Sequence, residues 1–240
     1  MSSTEWRKGS CASLVETNMM NMDNNFFLKR ISETTSEIYP LDRLLPIESV
    51  YMISLQEYEK SSDKNLFFRD RKYQRLREGY FAMFVAVALQ DYFNYPHYLV
   101  FPTNPDNDVY IAYRLPGETN EKMGAYPFDI KEYTNWSSTF DKFLQKNVLP
   151  KLEAYSIAVS TYRKIDGNDI KSLIDYLQSK NLSTGVWFLG SPTEEDQGYD
   201  ISSVTIVNKD GILYEKVIDL NDWIDKTRPI VVFQDIIRFK

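Results

Sequence analysis

Two acids and a lysine in neighbouring apolar runs are the residues of this chain best suited to chemistry. Asp108 stands at the head of the run 109–113, and Asp129 and Lys131 lie inside the later run 126–133. Both runs predict β-strands. Because side chains alternate along a strand, Asp129 and Lys131 are expected on one face. Two carboxylates beside an ammonium group suit a divalent metal ion held against a phosphodiester.

The chemistry that fits these groups is metal-assisted hydrolysis of a phosphodiester bond. Adjacent strands lie about 5 Å apart, so Asp108 and Asp129 are expected to share one Mg²⁺ or Mn²⁺ ion if the strands pair in a suitable register. The metal would lower the pKa of a water molecule, and Lys131 would orient or help to deprotonate that water near the developing oxyanion. Such a reaction needs no histidine.

The acid-x-lysine triplet itself carries little information, because it occurs three times in the chain. Its copies are Asp70-Arg71-Lys72, Asp129-Ile130-Lys131 and Asp169-Ile170-Lys171. Chance alone predicts roughly one copy per hundred positions at ordinary residue abundance. The first copy is explained by a basic helix, and the third by an acid in the first turn of a helix. The position of the middle copy on a strand therefore carries the hypothesis.

Composition removes several classes of function before any motif is considered. The chain has one histidine and one cysteine, so a zinc site made only of these residues and an internal disulfide are both excluded. A net charge of −6 argues against indiscriminate binding to nucleic acid or to an anionic membrane. Without a signal peptide or an apolar stretch of about 18 residues, the chain is expected to be cytoplasmic and to make no membrane contact.

A long helix with a basic first half is predicted over residues 65–94. The segment lacks proline, and its apolar residues are dense towards its end. Aromatic side chains lie between the basic ones, a combination that can follow a phosphate backbone and stack on bases. The alternative is an ordinary solvated helix face. The candidate nucleic-acid-binding residues are Arg69, Arg71, Lys72 and Arg75.

The remaining pattern predicts one α/β domain with a mixed sheet. Residues 1–25 are expected to form a flexible tail, 26–182 a helical lead-in and nuclease-like core, and 183–240 a β-rich extension of the same domain. One or two short helices, interrupted at Pro40 and Pro46, are predicted before residue 58. Further helices are predicted over 138–154 and up to about residue 180. The predicted strands are 98–101, 109–113, 126–133, 157–162, 186–189, 204–207, 213–218 and 230–239.

This order of elements resembles the PD-(D/E)xK nuclease superfamily, which has the restriction-endonuclease-like fold. The matching residues are Pro105-Asp106-Asn107-Asp108 before one strand and Asp129-Ile130-Lys131 in the next, and the resemblance covers residues 65 to 165. It implies a mixed sheet flanked by helices, with extra strands at the C-terminal end. It also implies that Asp108 and Asp129 bind metal, that Lys131 is the catalytic lysine and that Glu78 is a further ligand. Asp106 remains an alternative to Asp108.

The leading hypothesis is a Mg²⁺-dependent endonuclease that acts on nucleic acid, with DNA favoured. The main alternative is a non-catalytic interaction or regulatory subunit that binds a protein through the acidic loop 194–200. A carbohydrate-active enzyme that uses two carboxylates is a third hypothesis. His97 is interpreted as structural. The sequence leaves open DNA against RNA, sequence specificity, a homodimer or a protein partner, and the role of 183–240.

Overall fold

A mixed eight-stranded sheet organises the chain, and its strands are arranged in the order β1 to β8 in which they occur in the sequence. The structure is a computed structural model that describes residues 44–61, 67–68, 70–94, 96–102, 108–114, 123–133, 139–152, 156–161, 165–182, 184–190 and 200–227. The strands are β1 (Leu45–Pro46), β2 (His97–Val100), β3 (Val109–Arg114), β4 (Met123–Glu132), β5 (Ser156–Ser160), β6 (Val186–Gly190), β7 (Ile201–Asn208) and β8 (Gly211–Asp219).

The helices lie between these strands and after the last one. Their bounds are α1 (Ile47–Lys60), α2 (Gln74–Phe93), α3 (Phe140–Phe143), α4 (Gly167–Ser179) and α5 (Leu220–Thr227). A 3₁₀ turn, Arg71–Tyr73, leads into α2. A π-helical turn, Leu144–Val148, and a 3₁₀ turn, Leu149–Lys151, continue α3. We refer to the whole segment 140–151 as the crossover helix.

The direction of the strands changes twice across the sheet. Strands β1 to β4 are antiparallel, β4, β5 and β6 are parallel, and β6 to β8 are again antiparallel. Two parallel neighbouring strands need a long connection, because the chain must return to the end of the sheet at which the first strand began. The crossover helix makes this connection between β4 and β5, and α4 makes it between β5 and β6. The predicted α/β class and mixed sheet are therefore confirmed.

Two apolar layers cover the two faces of the sheet. In one layer, α1, α2 and α5 pack on the sheet, and Phe128 and Ile130 of β4 point into it. In the other, the crossover helix and α4 pack against Ile157 and Val159 of β5. Helix α2 is buried continuously from Arg77 to Leu89, so it is the central helix of the first layer. Within the described ranges, no helix is long and apolar enough to cross a membrane.

The predicted start of the long helix at residue 65 is wrong, whereas its end is confirmed. The carboxylate of Asp70 accepts a hydrogen bond from the Lys72 amide, which starts the 3₁₀ turn, and α2 begins only at Gln74. At the other end, Asn94 takes the left-handed conformation with φ 58°, and its amide donates to the Gln90 carbonyl. Asparagine tolerates this conformation and commonly ends helices.

Most predicted strands are present, with small shifts at their ends. Strand β1 and helix α5 are both short and have no counterpart among the predicted elements. Proline at position 46 precedes α1, which accords with the predicted break there. The predicted tail 1–25 and the last predicted strand, 230–239, lie outside the described residues.

Candidate functional site

The candidate site lies beside the start of β3. Here β4 continues beyond its last residue paired with β3 and remains paired with β5. Val109 of β3 is paired with Phe128 of β4, and the Asp108 amide donates to the Phe128 carbonyl at 3.2 Å. The Asp108 carboxylate then accepts a hydrogen bond from the Ile130 amide at 2.7 Å. The Asp108 carboxylate thus accepts a hydrogen bond of the kind that a backbone carbonyl accepts between paired strands. The backbone of β4 therefore sets the position of this carboxylate.

Asp129 and Lys131 lie beside Asp108, as the strand alternation predicts. Lys131 Nζ donates to Asp129 Oδ1 and lies 3.9 Å from Asp108 Oδ2. Their neighbour Ile130 points to the opposite face, into the layer of α2. The structure therefore brings Asp108, Asp129 and Lys131 together on one face of the sheet.

The two carboxyl groups influence each other. Their proximity contributes to a raised pKa for Asp108 and to a lowered pKa for Asp129. Burial raises the pKa of Asp108 to about 7, and the neighbouring charges of Glu78 and Asp129 add to this effect. Burial would also raise the pKa of Asp129, but hydrogen bonds from Asp108, Lys131 and Lys151 hold it below its usual range. The two neighbouring carboxyl groups are thus held at different pKa values, that of Asp108 above and that of Asp129 below the usual range.

Lys151 is a further charged residue of the site that was not among the residues predicted from the sequence. It is the last residue of the crossover helix, and its Nζ donates to Asp129 Oδ2 at 2.6 Å. The hydrogen bond to Asp129 raises the pKa of Lys151 above its usual range. No local pattern reveals this contact, because it depends on the parallel pairing that places the end of the crossover helix over β4.

Glu78 is buried on α2 near the same cluster. Gln74 Nε2 donates to its Oε1 at 2.9 Å, and Arg75 lies 3.9 Å from its Oε2. Burial raises the pKa of Glu78, and its charge in turn raises the pKa of Asp108. Among the described residues, however, no three or more histidine, cysteine, aspartate or glutamate side chains form a group that could hold a metal ion. The role of Glu78 as a third ligand stays a prediction.

The donor set nevertheless fits a hard divalent cation. Mg²⁺ takes oxygen ligands and is often held by one or two carboxylates, with water and substrate phosphate completing its octahedron. Asp108 and Asp129 offer two neighbouring carboxyl groups, and a cation placed between them would offset the repulsion of their negative charges. Asp108 and Asp129 are therefore the residues that would hold Mg²⁺ or Mn²⁺.

On the side of the sheet covered by α2, a buried ion pair joins this helix to β4. Arg77 Nε donates to Glu132 Oε1 at 2.9 Å, and Arg77 Nη1 donates to the carbonyls of Phe67 and Asp70 at 2.9 and 2.8 Å. Arg77 is only 7% exposed, so this basic residue of the helix holds the start of α2 against the sheet.

The four basic residues predicted to bind nucleic acid have different surroundings. Arg69 lies outside the described residues, and Arg71 is exposed on the 3₁₀ turn. Lys72 is also exposed, with its ammonium 4.6 Å from the centre of the Tyr73 ring. Arg75 is half-exposed and donates to the Pro102 carbonyl at 2.7 Å. Arg71 and Lys72 are therefore the accessible positive charges that lead into α2.

The single histidine takes no part in the candidate site. His97 is buried at the start of β2, where its ring stacks on Phe93 with 6.2 Å between the ring centres. Its location accords with the structural interpretation made from the sequence.

Similarity to known proteins gives no independent guide to the chemistry of this site. No protein-family model matches the chain, and no curated protein or solved structure matches it either.

Proposed function

We propose that this protein is a metal-dependent nuclease that hydrolyses phosphodiester bonds, with DNA the favoured substrate. Asp108 and Asp129 hold Mg²⁺ or Mn²⁺, and Lys131 is the catalytic lysine. The observation that carries the proposal is the Lys131 ammonium, which donates to Asp129 and lies 3.9 Å from Asp108 Oδ2, so that both carboxyl groups and the lysine lie together on one face of the sheet.

The order and direction of the elements support the same proposal. Helix α2 is followed by the antiparallel strands β2, β3 and β4, then by the crossover helix and the parallel strand β5. This is the order on which the resemblance to the PD-(D/E)xK superfamily rests. We therefore propose the restriction-endonuclease-like fold for this part of the sheet, with β6 to β8 as an addition to it.

Each residue of the site has a chemical task under this proposal. The Ile130 amide orients Asp108, and the lysines keep Asp129 ionised. Lys131 supplies a fixed positive charge next to both carboxylates, where it can stabilise the charge that builds up on a phosphate oxygen. When bound, the divalent ion lowers the pKa of water and offsets negative charge on the substrate.

A local positive surface can offset the net negative charge of the chain. Arg71 and Lys72 are exposed on the turn that leads directly to Gln74 and Glu78, and the charge of Glu78 reaches Asp108. We propose that a polyanion makes its first contact with the protein through these two positive charges. Arg69 stays a predicted contact, and Arg75 would contribute through its half-exposed guanidinium.

The experiment that tests the proposal is a cleavage assay with Asp129→Asn. Labelled double-stranded DNA, single-stranded DNA and RNA are incubated with Mg²⁺ or Mn²⁺, and the initial rates are compared. We expect the initial cleavage rate of the variant to be at least about a hundredfold lower than that of the wild type, because a metal ligand and its charge are removed. Asp141→Asn, which neutralises an exposed acid on α3, is the matched control and should cleave normally. Equal rates for wild type and Asp129→Asn would refute the assignment.

A metal titration without substrate tests the site independently of cleavage. Mg²⁺ or Mn²⁺ should raise the melting temperature of the wild type, because a ligand that binds only the native state stabilises it. Asp129→Asn should show a much smaller shift at the same metal concentration, while Asp141→Asn should behave as the wild type does. An unchanged melting temperature in the wild type would favour the interaction-subunit alternative.

One observation bears on that alternative. The acidic loop 194–200 lies outside the described residues except for Asp200, and Asp200 accepts hydrogen bonds from Tyr51 and Asn221. The carboxylate of Asp200, at the end of this loop, is thus hydrogen-bonded to α1 and α5. Among the described residues, the exposed large apolar side chains that would suit a protein partner are Ile212 and Val217 on β8 and Met52 on α1.

A further inference from the structure

Both carboxylate oxygens of Asp129 are occupied by lysine ammonium groups. Lys131 donates to Oδ1, and Lys151 donates to Oδ2 at 2.6 Å. Asp129 is 4% exposed, so little of its negative charge can be compensated by water. An ionised carboxylate in such surroundings needs paired positive charge.

The two lysines differ in how firmly the fold holds them. Lys131 belongs to the same strand as Asp129, and its side chain is 22% exposed. Lys151 comes from the end of the crossover helix, and its side chain is 45% exposed. A lysine side chain is a flexible four-carbon stem with a compact charge. Lys151 can therefore leave Asp129 towards solvent without any movement of the backbone, whereas Lys131 has less room.

We propose that Lys151 is an internal counter-ion of Asp129 that competes with the divalent cation. It occupies the Asp129 oxygen turned towards the crossover helix in the metal-free protein, and the cation displaces it. This inference rests on the proposed metal site, and it goes further by naming a residue that sets the affinity of that site. The displaced ammonium stays near the site and is available to a phosphate group of the nucleic acid.

Removal of the Lys151 charge should tighten metal binding, because the cation no longer has to displace an ammonium. Isothermal titration with Mn²⁺ alone, without nucleic acid, gives the dissociation constant of wild type and Lys151→Met. We expect the variant to bind Mn²⁺ about tenfold more tightly than the wild type does. The Lys151–Asp129 ion pair that the metal must break is partly exposed at the lysine but buried at the aspartate, which strengthens it. Lys146→Met removes an exposed lysine of the same crossover helix and should leave the affinity unchanged.

Two further variants separate charge from shape. Lys151→Arg keeps the positive charge and should bind Mn²⁺ less tightly than Lys151→Met does. Lys151→Gln removes the charge but keeps a polar end, and it replaces Lys151→Met if the latter fails to fold. An affinity in Lys151→Met or Lys151→Gln that equals or falls below the wild-type value overturns the inference, as does the absence of Mn²⁺ binding in all of these proteins.

The outcome is distinguishable from that of the nuclease proposal. Tighter Mn²⁺ binding in Lys151→Met supports the counter-ion role even if the wild type cleaves no nucleic acid. Conversely, a wild type that cleaves DNA, together with an unchanged metal affinity in Lys151→Met, retains the nuclease and rejects the counter-ion.

Discussion

At the scale of single residues, Asp108 combines burial with a fixed hydrogen bond to the Ile130 amide. Burial raises the pKa of Asp108 from 3.8 to about 7, so the folded protein holds a proton that the unfolded chain releases. Proton binding by the folded state stabilises it at low pH, and this contribution is lost as the pH rises from about 4 to 7. The lowered pKa of Asp129 has the opposite sign and acts only at more acidic pH.

Asp108→Asn should therefore stabilise the protein at pH 8 while abolishing cleavage. The substitution removes a carboxylate that is costly to ionise, and we expect a gain of about 1–3 kcal/mol in the free energy of unfolding at that pH. The gain should shrink towards pH 5, where Asp108 is protonated in the folded protein. Urea unfolding at both pH values measures the difference, with Asp141→Asn as control. A gain of equal size at pH 5 and pH 8 would contradict the assigned titration.

The predictable part of the site is local in sequence, and the remainder is not. Alternation along a strand suffices to place Asp129 with Lys131, and the apolar run after Asp108 suffices to place that acid on the neighbouring strand. Lys151 reaches Asp129 from 22 positions later in the chain, through a crossover and a parallel register. A lysine at the end of a helix has an ordinary explanation from the helix dipole, so nothing in the sequence marked it.

At the scale of elements, the start of α2 is fastened to β4 by the Arg77–Glu132 pair. Arg77 also donates to two backbone carbonyls, so one guanidinium satisfies three acceptors in a buried place. On the same helix, Gln74 lies just before Arg77 and Glu78 directly after it. The pair therefore positions the helical side of the candidate site relative to the carboxyl pair on the strands.

Arg77→Met should destabilise the protein by about 2–4 kcal/mol, because Glu132 and two carbonyls lose a buried partner. Chemical unfolding measures the loss, and Arg71→Met, which removes an exposed arginine just before α2, should change stability by less than about 0.5 kcal/mol. If the two variants are equally stable, the pair does not hold the helix.

The boundaries of α2 show where sequence patterns fail for elements. The basic stretch from residue 65 contains good helix formers, which favours an early start. Asp70 captures the Lys72 amide instead, and this local hydrogen bond sets a 3₁₀ turn ahead of the helix. Aspartate competes with helical bonding in this way, and helix propensity alone does not foresee it.

At the scale of the whole molecule, Tyr51 connects the first described helix to the last. Its hydroxyl lies 2.7 Å from Asp200 Oδ1 and 2.7 Å from Asn221 Oδ1, and Asn221 Nδ2 donates to Asp200 Oδ2. Burial and the neighbouring Asp200 raise the pKa of Tyr51, so the phenol stays a hydrogen-bond donor. These bonds tie α1 to the start of β7 and to α5.

Tyr51→Phe should lower the free energy of unfolding by about 1–2 kcal/mol, because Asp200 and Asn221 lose a buried donor. Thermal and urea unfolding should still show one transition, since the two apolar layers share one sheet. Tyr98→Phe removes a hydroxyl from β2 and serves as the control. A second transition that appears only in Tyr51→Phe would show that the C-terminal strands unfold separately.

The class of the fold was predictable from the alternation of helices and strands, but the extent of the sheet was not. Strands β6 to β8 continue the sheet that holds the candidate site, because Val186 and Phe188 pair with β5 on one side and with β7 on the other. Short elements such as β1 and α5 carry too few residues for a clear period. Strand β1 pairs with β2 and contacts α1, while α5 contacts β8 and is joined to α1 by the Tyr51–Asn221 hydrogen bond.

The sequential order of the strands has a consequence for synthesis on the ribosome. Each strand pairs with the strands that precede and follow it in the chain, so the sheet can grow from one end as the polypeptide emerges. Antiparallel neighbours can pair early, whereas each parallel pair can form only after the helix that connects its two strands has been synthesised. Asp108 and Asp129 would thus meet when the β3–β4 hairpin closes, and Lys151 would join them only after β5 has docked.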